Sequence, residues 1–383
     1  MGAVIVVRKT VGGALRGGHP WVFRDSVVKV RGTLQAGDPV AVEDDAFVGM
    51  AIADPGSPIV ARMWTHDKRV PDGKLFEERL RRAMALRKRT FEGGETTAMR
   101  LLHGEGDRTP GIVIDRYEHV AVVRTDGDAA ESALPGFLPA MIKVLGEHGI
   151  TTIIKKQEGA VVSLDGEAAP PRIRIREHGI PFWVDLAKGQ KTGAFLDQRE
   201  NRRRVRGLAS GRRVLNLFSY AGGFSLFAAV GGATHVTSVD IASGGHATAQ
   251  ESFRLAGVDP QAHSFATADA FEFLKSAAQQ KKTWDLVISD PPSFAPNEKS
   301  RVRALTAYRK LHRAAAEVLS PSGIFCASSC SSHVSAEAFL ETLDDETLGR
   351  SDLRLQEFFG PPADHPTLPT FPEGRYLKFA VLA

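Results

Sequence analysis

The stretch Val214-Leu215-Asn216-Leu217-Phe218-Ser219-Tyr220-Ala221-Gly222-Gly223-Phe224 decides the fold. A short apolar run enters a turn with two adjacent glycines, and a helical pattern starts at Phe224. Strand, glycine turn and helix in this order open a doubly wound α/β sheet, where ligands bind beyond the carboxyl ends of the strands. The glycines let the backbone approach a ligand closely. The turn is not Gly-x-Gly-x-x-Gly, the pattern that closes over a dinucleotide pyrophosphate. Taken alone, it reads equally well as a plain helix start.

The same grammar continues downstream. Strands are expected at 235–240, 264–267, 284–289 and 324–328, and helices at 246–256, 270–278, 304–319 and 335–343. Two closing runs, 353–358 and 376–382, follow. Such alternation predicts a parallel sheet with helices on both faces. Val214 to Val239 carries no charged side chain and is long enough to span a bilayer. Its Asn216, Ser219, Thr234 and glycines mark it instead as strand, turn, helix and strand within a sheet.

Upstream the pattern differs. The first ~65 residues read as all-β, with turn signals at Gly12-Gly13, Gly17-Gly18, 36–39 and 54–56, which suggests a small barrel. A helix is expected at 75–90, with Leu80, Met84 and Leu86 inward and Arg79, Arg81, Arg82, Arg87, Lys88 and Arg89 on the solvated side. Strands surround Pro110-Gly111, a helix covers 134–147, and a hairpin turns at His178-Gly179. The chain therefore divides into 1–70, 71–187 and 188–383.

Composition narrows the class. The chain has 383 residues, 43% hydrophobic and 25% charged, which excludes disordered, collagenous and coiled-coil chains. The net charge of +4 is too small to name a partner. Two cysteines, Cys326 and Cys330, cannot build a disulfide framework or an ordinary zinc site. On a strand they would lie roughly 13 Å apart, beyond the about 7 Å a disulfide allows. Free thiols predict a reducing, cytoplasmic setting. The apolar run Val4–Val7 precedes its charges, the wrong order for a signal peptide.

Four positions carry candidate chemistry. Asp240 closes its strand 240 − 222 = 18 residues beyond Gly222, near the spacing of an acid that holds ribose hydroxyls. Asp269 closes the next strand and either faces an adenine or caps a helix. With the glycine turn, this pair suits a nucleoside cofactor lacking phosphates, such as S-adenosylmethionine. After Asp240, Ser243-Gly244-Gly245-His246 stands where a better helix start is expected. Ser289-Asp290-Pro291-Pro292-Ser293-Phe294 follows the apolar run 286–288, and its prolines fix the backbone so that a carboxylate and an aromatic ring face the cleft. Ser328-Ser329-Cys330-Ser331-Ser332 follows the next strand, with Cys330 level with Asp290 and readable as a nucleophile. Cys326, within that strand, reads as packing.

Asp-Pro-Pro-x-aromatic, after the glycine turn and Asp240, resembles the fourth motif of class I S-adenosylmethionine-dependent methyltransferases. Together with Ser329-Cys330-Ser331, the runs 216–224 and 290–294 resemble the RlmI-type family of ribosomal-RNA cytosine-C5 methyltransferases. The likeness extends to His19-Pro20-Trp21-Val22-Phe23, Gly104-Glu105-Gly106-Asp107, Lys191-Thr192-Gly193-Ala194-Phe195-Leu196-Asp197-Gln198-Arg199, Asp364-His365-Pro366 and Pro372-Glu373-Gly374-Arg375-Tyr376-Leu377-Lys378. It implies a PUA-like RNA-binding barrel at 1–70, a central α+β domain at 71–187 and a Rossmann-like methyltransferase domain at 188–383.

The resemblance further implies S-adenosylmethionine as cofactor, held by Phe218, Ser219, Tyr220, Ala221, Gly222 and Gly223, by Asp240 and Ile241, by Asp269 and Ala270, and by Asp290, Gln198 and Arg199. It implies large-subunit ribosomal RNA as substrate, with Cys330 and Asp290 catalytic, Pro291, Pro292 and Phe294 near the base, and Lys299, Arg301 and Arg303 on phosphates. Arg202, Arg203, Arg204 and Arg206 join the candidate RNA contacts, and His19-Pro20-Trp21 is either a stacking surface or barrel core. No metal and no membrane are expected, and a homodimer stays open. Three rivals remain. A nitrogen methyltransferase would need no cysteine, a nicotinamide oxidoreductase would need the missing glycine, and an RNA-binding protein without activity would transfer no methyl group.

Overall fold

The computed structural model describes residues 2–91, 93–157, 160–295 and 297–383. They form two compact units, each assembled from separated stretches of chain. The first takes Met1–Ile175, Val184–Leu196 and Ala363–Gly374; the second takes Arg176–Trp183, Asp197–Pro362 and Arg375–Ala383.

In the first unit, the N-terminal residues build a six-stranded sheet. Its strands run in the order Trp21–Phe23, Ile59–Thr65, Phe47–Ala53, Pro39–Glu43, Val4–Val7 and Val27–Arg31. Ile5, Val22, Val40, Val42, Ala51 and Ala61 fill its core. The all-β expectation fails at Lys9–Arg16, which is a helix, so Gly12-Gly13 is not a turn. Close packing explains the glycine: a Cβ on Gly12 would stand 2.2 Å from Asp44 Oδ2. Asp44 in turn accepts both terminal nitrogens of Arg16, at 2.8 and 2.6 Å.

A five-stranded sheet follows, in the order Ala160–Gly166, Thr152–Gln157, Val120–Thr125, Ile112–Tyr117 and Ala98–His103. Helices Gly73–Thr90 and Gly127–Gly146 pack on it, and Phe76 stacks on Phe137 at 4.9 Å. The second helix starts well before the expected Leu134, because Ala129 and Ala130 extend its buried stripe. Arg87 corrects the solvated-face expectation. It is buried, grips Asp107 through two 2.7 Å bonds and donates to the Asp364 carbonyl at 2.7 Å. Those charge-assisted bonds offset its desolvation. The hairpin forms as expected between Arg172–Glu177 and Ile180–Asp185, with φ of 48° at His178 and 79° at Gly179.

The second unit holds a seven-stranded sheet. Its strands are β1 (Arg213–Leu217), β2 (His235–Asp240), β3 (Ser264–Thr267), β4 (Trp284–Ser289), β5 (Leu319–Ser329), β6 (Leu355–Phe359) and β7 (Lys378–Leu382). The order across the sheet is β3-β2-β1-β4-β5-β7-β6. β1 to β5 are parallel, and β7 runs antiparallel to both its neighbours. The helices are α1 (Arg199–Leu208), α2 (Gly223–Val230), α3 (Ser243–Leu255), α4 (Ala270–Gln279) and α5 (Arg301–Glu317).

Successive side chains of a strand point to opposite faces. Leu215, Val287 and Phe325 thus join a core with α4 and α5, while Val214, Leu286, Ile288 and Cys326 join another with α1 and α2. Cys326 is wholly buried, as a packing residue should be. The strand order reverses between β1 and β4, so a crevice opens beyond their carboxyl ends. Among the described residues, no helix is long and apolar enough to cross a membrane.

Candidate active site

The turn after β1 is built from left-handed residues. Phe218, Tyr220 and Gly222 have φ of 57°, 48° and 75°. For the two side-chain-bearing residues this costs roughly 1–2 kcal/mol each, so the surroundings must hold them. Ser219 N–H donates to the Val239 carbonyl at 2.9 Å, and Gly222 N–H to the Ser219 carbonyl at 2.8 Å. Tyr220 N–H donates to Asp240 Oδ2 at 2.7 Å, while Asp240 Oδ1 accepts from Ala242 N–H at 2.8 Å. Asp240 therefore ties the glycine turn to the end of β2. Each of its oxygens keeps a second lone pair for a ligand hydroxyl. Ile241 beside it is 75% exposed, an apolar surface fit for a planar base.

Two glycines make the cradle. A Cβ on Gly222 would lie 2.6 Å from Ala249 Cβ, and one on Gly245 would lie 2.3 Å from the Tyr220 carbonyl oxygen. Gly245 is why Ser243-Gly244-Gly245-His246 makes a poor helix start: α3 must pass directly against the turn. Under the cradle, Asn216 Nδ2 and Ser238 Oγ both meet Ser225 Oγ, at 2.9 and 2.7 Å. Asn216 Oδ1, Ser219 Oγ and Ser289 Oγ are buried and make no hydrogen bond. Such groups at the strand ends fit a polar ligand with donors and acceptors, as a sulfonium amino acid joined to a nucleoside has.

Asp269 caps α4, accepting from Phe271 and Glu272 N–H at 2.9 and 3.1 Å through one oxygen, with Ala270 buried behind it. Gln198 is buried and bridges two strand ends. Its Nε2 donates to Asp290 Oδ1 at 2.9 Å and to Ser328 Oγ at 3.0 Å, and its Oε1 accepts from Asn201 at 2.6 Å. Arg199 is buried against Glu200 at 3.2 Å. Burial alone would raise the Glu200 carboxyl, but His178, Arg199 and Arg203 hold it down to about 2. Arg202 is not available to RNA: it is buried on Glu177 through bonds of 2.9 and 2.7 Å, because α1 turns that face to the protein.

The reactive end of the cleft lies after β4 and β5. Ser289 pairs with Ala327 in the ladder, which carries Asp290 and the 328–330 segment out together. Cys330 is partly exposed, between the fully buried Ser329 and Ser331. Sequence reasoning gave no role to two residues here. Tyr308 of α5 donates to Ser329 Oγ at 2.9 Å and meets Ser331 Oγ at 3.1 Å. Burial pushes its phenol up to about 12, with Cys330 and Asp290 adding to the rise, so it stays a neutral donor. Lys378 of β7 donates to the carbonyls of Ser331 and Val334, at 2.6 and 2.7 Å. Both residues are far away in sequence, and only the β5–β7 pairing and the α5 packing bring them in.

Of the expected RNA-facing residues, Pro291 is buried and Pro292 exposed. Phe294 rests on Tyr308 at 4.9 Å. Lys299, just before α5, and Arg301 and Arg303, in its first turn, are exposed, with Arg301 3.5 Å from Glu298. In the first unit, Trp21 is half-buried, with its indole N–H on Glu105 at 2.8 Å and its ring against Phe371. Among the described residues, no cluster of three potential metal ligands is present.

Over nearly its whole length the chain is similar to known proteins. Residues 134–370 match a family described as S-adenosylmethionine-dependent methyltransferase, and residues 5–66 match a PUA-like domain. A large-subunit ribosomal RNA methyltransferase of Deinococcus radiodurans is 37% identical over 96% of this chain and 94% of its own length. Ribosomal RNA large subunit methyltransferase I of Alteromonas mediterranea is 33% identical over 99% of this chain and 98% of its own. The crystal structure of SMU.776 complexed with SAH superposes with a TM-score of 0.90 at 27% identity, covering 99% of both chains.

Proposed function

This chain belongs to the RlmI family of S-adenosylmethionine-dependent methyltransferases with an N-terminal PUA-like domain, and from that premise we propose that it forms 5-methylcytosine in large-subunit ribosomal RNA through a Cys330–C6 adduct. The observation that carries this reading is the β4–β5 register, which sets Ser289 opposite Ala327 so that Asp290 and Cys330 leave the sheet at the same end, with Gln198 bridging Asp290 and Ser328 there. A nitrogen methyltransferase has no use for the thiol.

Cytosine C5 is too electron-poor to take a methyl group unaided. Addition of the Cys330 thiolate to C6 places an electron pair on C5, while charge builds toward N3 and O2. Asp290, aimed by Gln198, stabilises or protonates N3. The turn 218–223, Asp240, Ile241 and Asp269 would hold the cofactor, which supplies an electrophilic methyl carbon when bound. Once C5 is methylated, its proton passes to solvent in the cleft, and the electron pair left behind re-forms the C5–C6 double bond as the C6–sulfur bond breaks and releases the Cys330 thiolate. The base must leave its stack to reach this cleft, and the exposed Lys299, Arg301 and Arg303 would hold phosphates.

The test is transfer of a tritiated methyl group to large-subunit RNA by Cys330→Ala. Loss of transfer with unchanged S-adenosylmethionine affinity supports the thiolate route. Retained transfer sinks it and leaves nitrogen methylation as the reading.

A further inference from the structure

A nucleophilic cysteine must be ionised, and an ordinary thiol with a pKa near 8.5 is mostly protonated at neutral pH. Something beside Cys330 must favour the thiolate. Asp290, at the end of the neighbouring strand, is an acid: it brings no positive charge, and ionised it would act the wrong way. Tyr308 remains neutral and donates its one proton to Ser329. His333, three residues on, faces Glu298 at 3.3 Å.

Lys378 is different. It lies opposite Ser329 in the β5–β7 ladder, next to the cysteine in sequence. The residue is 2% exposed, yet none of its described partners is a carboxylate: its ammonium donates to the carbonyls of Ser331 and Val334. A lysine ammonium has three donors, so those two bonds leave one. The two carbonyls belong to the loop that begins at Cys330, so this loop is wrapped round the amine. A buried ammonium without a counter-ion is costly.

We propose that Lys378 is the counter-ion of a Cys330 thiolate and the residue that fixes the loop carrying it. This rests on Cys330 being the nucleophile. Burial pulls the ammonium down to about 8, and the charge of Cys330 opposes that fall, so Lys378 is still protonated at neutral pH. Lys378 is thus a positioning residue: it acts on the reaction through the ionisation and placement of Cys330.

Alkylation tests this without RNA or methyl transfer. The chain has two cysteines, and Cys326 is wholly buried with its thiol pushed up by burial. Iodoacetamide labelling, located by mass spectrometry, therefore reads Cys330. In the unaltered protein its rate should rise with pH about a midpoint at least about one unit below the ordinary 8.5. A midpoint at 8.5 or above overturns the proposal whatever the variants do. Lys378→Gln keeps a donor and removes the charge; Lys378→Arg keeps the charge. The glutamine variant should move the midpoint up by about one unit or more, and arginine should restore most of it. An unchanged midpoint in folded Lys378→Gln, with folding judged by S-adenosylmethionine affinity, also overturns it. Failure of the function itself looks different: Cys330→Ala would still methylate RNA, whatever the alkylation midpoint.

Discussion

Adjacent glycines at the start of α3 should respond to alanine with opposite signs. At Gly244 an added Cβ has nothing within 4 Å, so Gly244→Ala gains helix propensity alone, up to about 1 kcal/mol. At Gly245 the same methyl would lie 2.3 Å from the Tyr220 carbonyl oxygen and 2.9 Å from its carbon. Contacts under 3.0 Å are essentially never seen, so the turn or α3 must give by at least 3.0 − 2.3 = 0.7 Å. The turn resists, since Ser219 and Tyr220 N–H are fixed to Val239 and Asp240. Overpacking of this kind costs about 1–3 kcal/mol, and the propensity gain offsets part of it. Gly245→Ala should therefore be about 1–2 kcal/mol less stable in urea melts. Displacing the cradle should also weaken S-adenosylmethionine about tenfold in calorimetry, or about 1.4 kcal/mol. If Gly245→Ala matched Gly244→Ala in both stability and affinity, the reading of α3 as the back wall of the cofactor turn would be refuted.

Three other outcomes are expected. His312 is kept neutral by burial, which lowers it from 6.5 to about 4. Its contribution is complete above pH 6.5 and declines as pH falls toward 4, by about 3 kcal/mol across that window, so His312→Gln should flatten the pH dependence of urea midpoints. Asp269→Ala should lose about 1 kcal/mol of stability through its cap, whereas Asp269→Ser should recover the stability but bind the cofactor about tenfold more weakly; equal affinity would confine Asp269 to capping. Gln198→Leu should slow methyl transfer about tenfold or more with cofactor affinity little changed, since its amide bonds go to Asp290 and Ser328; a matching loss of affinity in calorimetry would make it a cofactor contact instead.

The doubly wound sheet was legible because its strands are buried on both faces and read as apolar runs such as 214–218 and 284–289, each followed by a helical pattern. The same regularity placed Asp240, Asp290 and Cys330, since a residue just past a parallel strand lies at the ligand end by construction. Glycine was the ambiguous letter. Gly12-Gly13 resembles a turn, and only the Asp44 carboxylate against Gly12 shows why a helix needs it. Gly245 looked like a poor helix former until Tyr220 stood against it. Charge was ambiguous too. Arg87 and Arg202 have the sequence context of solvated arginines, and the carboxylates that draw them inward, Asp107 and Glu177, lie 20 and 25 residues away. Tyr308 went unmarked and Lys378 stood only within the run 372–378 without a role, because helix packing and strand pairing have no local signature.

The position of β7 bears on how the enzyme comes into being. It is the last of the seven strands in chain order, yet it lies between β5 and β6. During synthesis the segment bearing Cys330 leaves the ribosome before the strand that brings Lys378 to it. Until β7 inserts, β5 has an open edge and the 330–334 loop lacks the amine on which Ser331 and Val334 close. If Lys378 is the counter-ion of a Cys330 thiolate, a nascent chain carries an ordinary thiol, and completion of the sheet is the step that arms it.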